Sequence, residues 1–178
     1  MTSIVVQVTE LHRVLADRGI SHAFGGALAL AWCTQRARGT IDIDINVFVE
    51  PSEGAAVLDA LPAGVTHSKR DLAELLSDGQ VRLKWDGTPV DLFLSTTAFH
   101  REVESRLRVE RFAEADIPFL SCDDLAVFKA FFNRSRDWVD LEEMHAAGTI
   151  DVAQVVTVLS TYLGPTDDRI ARLLAMED

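Results

Sequence analysis

The alternation of apolar and polar residues along the chain predicts helices and strands in mixed order, beginning with a helix. Apolar side chains recur at helical spacing over residues 3–18, and Gly19 follows as a helix-ending glycine commonly does. A short strand over 21–24 leads into a nearly all-apolar helix over 27–35. The next strand is predicted over 41–49, because every second residue from Ile41 is Ile or Val and should face a core.

Further patterns extend this prediction to the rest of the chain. Strands over 81–85 and 88–95 flank Asp86-Gly87, which is typical of a hairpin with a short turn. Before them, Pro51-Ser52 should start a helix that runs to Leu61, with Ser52 as its N-cap. After residue 120 the pattern is helical. We therefore expect a core over residues 1–120 and a helical bundle over 121–178 packed on it.

The strongest chemical signal is a pair of carboxylates in the strand over 41–49. Side chains alternate between the two faces of a strand, so Asp42 and Asp44 should point the same way. Neighbouring carboxylates repel each other unless they are protonated or bridged by a cation. Oxygen ligands of this kind suit Mg²⁺ or Mn²⁺. The pair therefore predicts a divalent metal site.

A glycine pair, Gly25-Gly26, opens the apolar helix that precedes this strand. Glycine lets backbone N–H groups approach an anion closely, and the helix dipole favours negative charge at that end. Next to paired carboxylates, this arrangement indicates a site for a metal-bound polyphosphate.

Gly25-Gly26 followed by Asp42-Ile43-Asp44-Ile45 resembles the signature of the polymerase beta-like nucleotidyltransferase superfamily. The Arg38-x-Thr40-x-Asp42-x-Asp44 form is similar to the minimal and abortive-infection-type members, which are often found in toxin–antitoxin pairs. It also resembles the small antibiotic nucleotidyltransferases. The resemblance covers residues 20–95 well and 120–142 weakly.

This resemblance implies a third acidic residue on a neighbouring strand, and Asp91 in Val90-Asp91-Leu92 matches it. A lone aspartate in a strand is commonly a surface residue, but its pairing with the earlier Asp-x-Asp strand favours the functional interpretation. Asp42, Asp44 and Asp91 are then the catalytic and metal-binding residues. Gly25 and Gly26 would cradle the triphosphate.

Three further residues are candidates for nucleotide binding. Arg38 either meets a phosphate or lies in a solvated turn, and Thr40 either holds this loop or faces the cleft. Lys129 lies in a predicted helix that begins at a capping-box sequence, Ser121 to Asp124. It is either a surface lysine that reaches for solvent or, as the family resemblance implies, a lysine directed at the active site.

The charge composition of the chain limits which macromolecules we expect it to bind. With 17 basic and 28 acidic residues the chain has a net charge of −11, which makes non-specific nucleic-acid binding unfavourable, so DNA is not expected and RNA is disfavoured.

Cys33 and Cys122 lie far apart and are expected to be free thiols in a reducing compartment. No apolar run is long enough for a signal peptide or a membrane span, so we expect a cytoplasmic protein.

Together these observations predict an α/β (α+β) fold: a small, mixed, twisted sheet flanked by helices, with a C-terminal helical segment. The predicted activity moves a nucleoside monophosphate from a nucleoside triphosphate to an acceptor hydroxyl with two magnesium ions. The acceptor is a tRNA, a protein or a small molecule such as an antibiotic. The alternative is a catalytically silent, nucleotidyltransferase-like toxin–antitoxin component that binds a partner protein.

Overall fold

The computed structural model describes residues 2–36 and 39–177, and its strands form one mixed sheet in the order β3-β4-β5-β2-β1-β7-β6. The strands are β1 (His22–Phe24), β2 (Ile43–Val47), β3 (Val65–Thr66), β4 (Gln80–Trp85), β5 (Thr88–Leu94), β6 (Arg108–Phe112) and β7 (Ala115–Phe119). β2 runs parallel to β5 and antiparallel to β1, and the β4–β5 hairpin is antiparallel. The predicted α/β class is confirmed.

The helices precede, separate and follow the strands along the sequence. They are α1 (Ile4–Asp17), α2 (Gly26–Thr34), α3 (Gly54–Ala60), α4 (Lys69–Asp78), α5 (Ala98–Val103), α6 (Cys122–Phe132), α7 (Ser135–Ala146), α8 (Val152–Leu163) and α9 (Asp168–Leu174). The predicted capping side chain of Ser121 accepts a hydrogen bond from the Asp124 N–H at the start of α6.

The described residues divide into two compact units. The first comprises the described parts of Met1–Leu28 and Gly39–Leu120, which include the whole sheet. Its core contains Ile43, Ile45 and Val47 of β2, together with the alternate apolar residues of β5. The second comprises the described parts of Ala29–Arg38 and Ser121–Asp178, which include α6 to α9.

The first long strand is shorter than its sequence pattern predicts. The prediction placed a strand over 41–49, but β2 covers only Ile43–Val47, and Ile41 is 80% exposed instead of facing the core. The Thr40 hydroxyl lies 2.8 Å from the Asp42 carbonyl oxygen and bends the chain just before the strand begins. Asp42 therefore precedes β2, and Asp44 alone lies within it.

The predicted N-cap at Ser52 is wrong, although helical structure does begin at Pro51. Pro51–Glu53 forms a 3₁₀ turn, and α3 begins only at Gly54. Glu50 and Glu53 form a reciprocal capping box at this turn, in which the Glu53 carboxylate accepts a hydrogen bond from the Glu50 N–H. The proline sets the backbone for a tight first turn, and a glutamate instead of the serine occupies the cap position.

The expectation of two free thiols is overturned. Cys33 in α2 and Cys122 at the start of α6 form a disulfide within the second unit, although 89 residues separate them in the sequence. A pairing at that separation depends on tertiary packing, because neither cysteine has a local partner to signal it.

None of the helices within the described residues is long and apolar enough to cross a membrane.

Candidate functional site

Three charged residues lie side by side across three neighbouring strands of the sheet. Asp44 of β2 is the direct partner of Asp91 in the parallel β2–β5 pair, and Asp91 is the direct partner of Arg82 in the β4–β5 hairpin. Directly paired residues project from the same face of a sheet. The structure therefore forms a row of carboxylate, carboxylate and guanidinium.

Arg82 holds Asp91 through two parallel hydrogen bonds. Its Nε donates to Asp91 Oδ1 at 2.6 Å and its Nη2 donates to Oδ2 at 2.5 Å. The same Nη2 lies 3.9 Å from Asp42 Oδ2. These hydrogen bonds to Asp91, followed by attraction to Asp91, Asp42 and Asp44, raise the pKa of the Arg82 guanidinium above its ordinary value.

Asp42 reaches the same cluster from the turn before β2, and Thr40 orients it. The Thr40 hydroxyl lies 2.9 Å from Asp42 Oδ1, and the Asp42 N–H donates to the Thr40 oxygen at 3.3 Å. Of the two predicted roles of Thr40, these contacts support the one in which it holds the loop. Its contact with a nucleotide stays a prediction.

Gly26 lies directly against the Asp44 carboxylate. A Cβ atom built on Gly26 would lie 1.9 Å from Asp44 Oδ2, and the backbone φ of Gly26 is +51°. Both the left-handed conformation and the space taken by Asp44 require glycine here. The absence of a side chain at Gly26 thus makes room for the Asp44 carboxylate, and the phosphate contact of Gly26 stays a prediction.

Gly25 is confined less tightly than Gly26, and its backbone N–H already donates a hydrogen bond. It donates to the Asp44 carbonyl oxygen at 2.9 Å. A Cβ on Gly25 would lie 3.1 Å from Leu120 Cδ1 and 3.2 Å from the amide nitrogen of Asn46. The Gly25 N–H is therefore bonded within the first unit and is not available to a ligand, while the predicted place of Gly25 beside the triphosphate stays a prediction.

The remaining predicted residue of the loop, Arg38, lies outside the described residues.

Lys129 is buried in the second unit and forms an ion pair with α7. Its Nζ donates to Asp140 Oδ2 at 2.6 Å and lies 3.7 Å from Asp137 Oδ1, and its side chain is only 9% exposed. The surface-lysine alternative is wrong, because two carboxylates in the fold neutralise the ammonium group away from solvent. A role in nucleotide binding stays a prediction.

The donor set fits a hard divalent cation in its chemistry, since Asp42, Asp44 and Asp91 all offer carboxylate oxygens. Within residues 2–36 and 39–177, however, no three acidic, histidine or cysteine side chains are grouped so that they could hold a metal ion. Arg82 occupies both oxygens of Asp91.

Arg82 is the residue of this site that sequence analysis missed, and a signal for it existed. A two-residue turn at Asp86-Gly87 pairs Trp85 with Thr88, and counting back along both strands places Arg82 opposite Asp91. The alternation in β4 then directs Arg82 to the face opposite the buried Val81 and Leu83.

No family model and no curated protein matches the chain. Solved structures do. The solution structure of the antibiotic-resistance factor ANT(2″)-Ia is similar with a TM-score of 0.57 and 15% identity, covering 96% of this chain and 89% of that one. A crystal structure of ANT(2″)-Ia in complex with adenylyl-2″-tobramycin has a TM-score of 0.56 and 11% identity, covering 99% and 100%.

A third similar structure is an antigenic nucleotidyltransferase-like protein from Paracoccidioides brasiliensis. Its TM-score is 0.54 at 12% identity, and the match covers 94% of this chain and 91% of that one. Identities this low bear on architecture alone. The chain has a nucleotidyltransferase-like fold.

Proposed function

We propose that this protein is a metal-dependent nucleotidyltransferase that moves a nucleoside monophosphate from a nucleoside triphosphate to an acceptor hydroxyl. The observation that carries the proposal is the direct pairing of Asp44 with Asp91 across parallel strands. Like charges placed opposite each other destabilise a sheet unless something positive joins them. A function that uses a cation explains why two carboxylates stand at this position, with Asp42 just before the strand.

Each residue of the site has a distinct task in this proposal. Asp42 and Asp44 would hold Mg²⁺ or Mn²⁺, and Asp91 would complete the ligand set on the acceptor side. Bound there, the cation supplies charge neutralisation for the triphosphate and acidifies the acceptor hydroxyl. Thr40 orients Asp42 through its hydroxyl, and Gly26 leaves the Asp44 carboxylate unobstructed at the start of α2.

The chemical step is an in-line displacement at the α-phosphorus. The acceptor oxygen forms a bond to phosphorus, the bond from that phosphorus to the oxygen bridging towards the β-phosphorus breaks, and pyrophosphate leaves. The hydroxyl proton passes to a carboxylate of the cluster, for which Asp91 is our candidate. The reaction depends on alignment and on charge compensation, which carboxylates and a cation provide without a covalent nucleophile.

The acceptor belongs to one of three classes. ANT(2″)-Ia has been crystallised with adenylyl-2″-tobramycin, so an antibiotic is one acceptor to test for this chain. A protein hydroxyl and a tRNA end are the others, and the net charge of −11 disfavours the tRNA.

One observation favours a second candidate function, a catalytically silent member that acts by binding a partner protein, as toxin–antitoxin components do. The two hydrogen bonds from Arg82 already neutralise Asp91. A domain without catalytic activity would keep such an ion pair permanently.

Labelling distinguishes the two candidates. The full chain is incubated with each α-³²P-labelled nucleoside triphosphate and Mg²⁺ or Mn²⁺, in separate reactions with tobramycin, host-lysate protein and total tRNA. We expect label in one acceptor and a loss of at least about 100-fold in the Asp42→Asn/Asp44→Asn variant. Glu114→Gln/Asp116→Asn, which removes two exposed charges at the β6–β7 hairpin, is the matched control and should label normally. Absence of label in every reaction, together with tight binding of a co-encoded protein, would favour the silent candidate.

A further inference from the structure

The contact between Arg82 and Asp91 has a consequence for how the site takes up a cation. A carboxylate has two oxygens, and Arg82 donates one hydrogen bond to each of those of Asp91. An Asp91 held in this way has fewer lone pairs and less negative charge to offer a cation bound by Asp42 and Asp44. The guanidinium and a metal ion therefore compete for the same carboxylate.

The exposure of the two partners shows which of them can leave. The Arg82 side chain is 61% exposed, whereas that of Asp91 is 14% exposed and that of Asp42 is 26% exposed. Asp91 is thus fixed in β5, while Arg82 approaches it from the solvent side of β4. Because the Arg82 side chain is largely solvated, water can compensate its charge when it leaves Asp91.

The same contact explains how the carboxylates tolerate each other without a metal. Asp44 and Asp91 are direct strand partners, and Asp42 lies 3.9 Å from the Arg82 Nη2 atom. The Arg82 guanidinium thus helps to offset the repulsion among these three acids. Arginine suits this task because its planar fork matches both oxygens of a carboxylate.

We propose that Arg82 is a positioning residue that holds Asp91 in the resting protein and is displaced from it when a divalent cation binds. It thereby sets the divalent-ion concentration at which Asp91 joins Asp42 and Asp44. This inference rests on the proposed function, because it takes the three carboxylates to be the cation site. Removal of Arg82 should consequently improve metal binding, which is the reverse of what the loss of a ligand or of a structural contact would do.

The test is Mn²⁺ binding to the full chain without nucleotide, measured by calorimetry and by the electron paramagnetic resonance signal of free Mn²⁺. Arg82→Gln should lower the apparent dissociation constant at least fivefold. Lys84→Gln is the matched control, because Lys84 lies two residues along β4, on the same exposed face, and carries the same charge. It should stay within twofold of wild type. Adding Asp91→Asn to Arg82→Gln should remove the gain.

Thermal stability is a second readout, because it reports the repulsion among the carboxylates that Arg82 offsets. Without metal, Arg82→Gln should melt at a lower temperature than Lys84→Gln, and Mn²⁺ should raise its melting temperature by more than it raises that of wild type. If Arg82→Gln does not fold, Arg82→Lys keeps the charge but lacks the planar fork, and it should bind Mn²⁺ more tightly than wild type.

The outcomes separate this inference from the proposed function. Equal Mn²⁺ affinities for Arg82→Gln and Lys84→Gln, with binding abolished in Asp42→Asn/Asp44→Asn, would overturn the role of Arg82 and leave the metal site standing. Weaker binding in Arg82→Gln would overturn it as well. Mn²⁺ binding that is absent, or that is insensitive to Asp42→Asn/Asp44→Asn, would overturn both the cation site and the role of Arg82.

Discussion

The carboxylate of Asp44 occupies the space in which Gly26 would carry a side chain. A Cβ on Gly26 would lie 1.9 Å from Asp44 Oδ2 and 2.6 Å from Asp44 Cγ, and the φ of Gly26 is +51°. Gly26 and Asp44 are therefore structurally coupled. The first residue of α2 must be small because the Asp44 carboxylate of β2 lies against it.

Gly26→Ala should displace Asp44 and weaken the binding of metal-bound nucleotide at least about tenfold, because the new methyl group and the carboxylate cannot occupy the same volume. Calorimetry with Mg²⁺ and each nucleoside triphosphate measures this. Gly19→Ala is the matched control: Gly19 has a φ of +67° but no atom near its Cβ position. Each variant should lose about 1–2 kcal/mol of stability from the left-handed backbone, and only Gly26→Ala should lose affinity. Equal nucleotide affinities in the two variants would contradict the role of Gly26.

Asp91→Asn separates a catalytic carboxylate from one that only helps to hold a nucleotide. The change keeps the size of the side chain and removes its charge, so nucleotide affinity should stay within about fivefold while the rate of transfer falls at least about 100-fold. Both quantities are measured on the same preparation, by calorimetry and by labelling. A labelling rate equal to that of wild type would remove Asp91 from the mechanism.

Lys129→Met should destabilise the fold by about 3–5 kcal/mol, because Asp140 would be left buried without its ammonium partner. Urea denaturation followed by circular dichroism measures the loss. The double variant Lys129→Met/Asp140→Leu removes both charges, and we expect it to recover most of the stability. A single variant as stable as wild type would contradict the buried ion pair.

The folded double variant also tests the predicted nucleotide contact of Lys129. If Lys129 serves only the ion pair with α7, nucleotide affinity in Lys129→Met/Asp140→Leu should equal that of wild type. A large loss of affinity in a stable double variant would instead assign the lysine to the nucleotide site.

Stability should fall as the pH drops from about 6.5 towards 4, because His22 is buried in its neutral form. Its Nδ1 donates to the Ile20 carbonyl oxygen at 2.8 Å, so its Nε2 accepts from His12 Nδ1 at 3.0 Å. Burial is the main cause that lowers the pKa of His22 to about 4 from an ordinary 6.5. The unfolded chain takes up this proton first, so acid favours unfolding by roughly 1.4 kcal/mol per pH unit in that range.

Urea denaturation at pH 7, 6 and 5 measures this dependence. His22→Gln should show a shallower fall than wild type, and His67→Gln, at an exposed position, is the control for removing a histidine. An identical pH dependence in His22→Gln and wild type would count against a neutral, buried His22.

Residue pattern alone predicted most of the sheet and the neighbourhood of the site. The two-residue turn at Asp86-Gly87 determines the register of the β4–β5 hairpin, and alternation then sets the face on which Asp91 lies. α1 and its terminal Gly19 also follow from local signals, because helical periodicity and a left-handed glycine each involve only neighbouring residues.

The sequence alone therefore determined the candidate residues for the chemistry: the glycine pair, the Asp-x-Asp segment and the lone aspartate of a hairpin strand. Tertiary structure decided what each of them contacts. Three contacts show this. The Asp44 carboxylate packs against Gly26, Arg82 donates hydrogen bonds to Asp91, and Cys33 forms a disulfide with Cys122. The physical reason is that propensity and alternation act over a few neighbouring positions. A contact between distant segments depends on how whole strands and helices pack, and no local pattern encodes it.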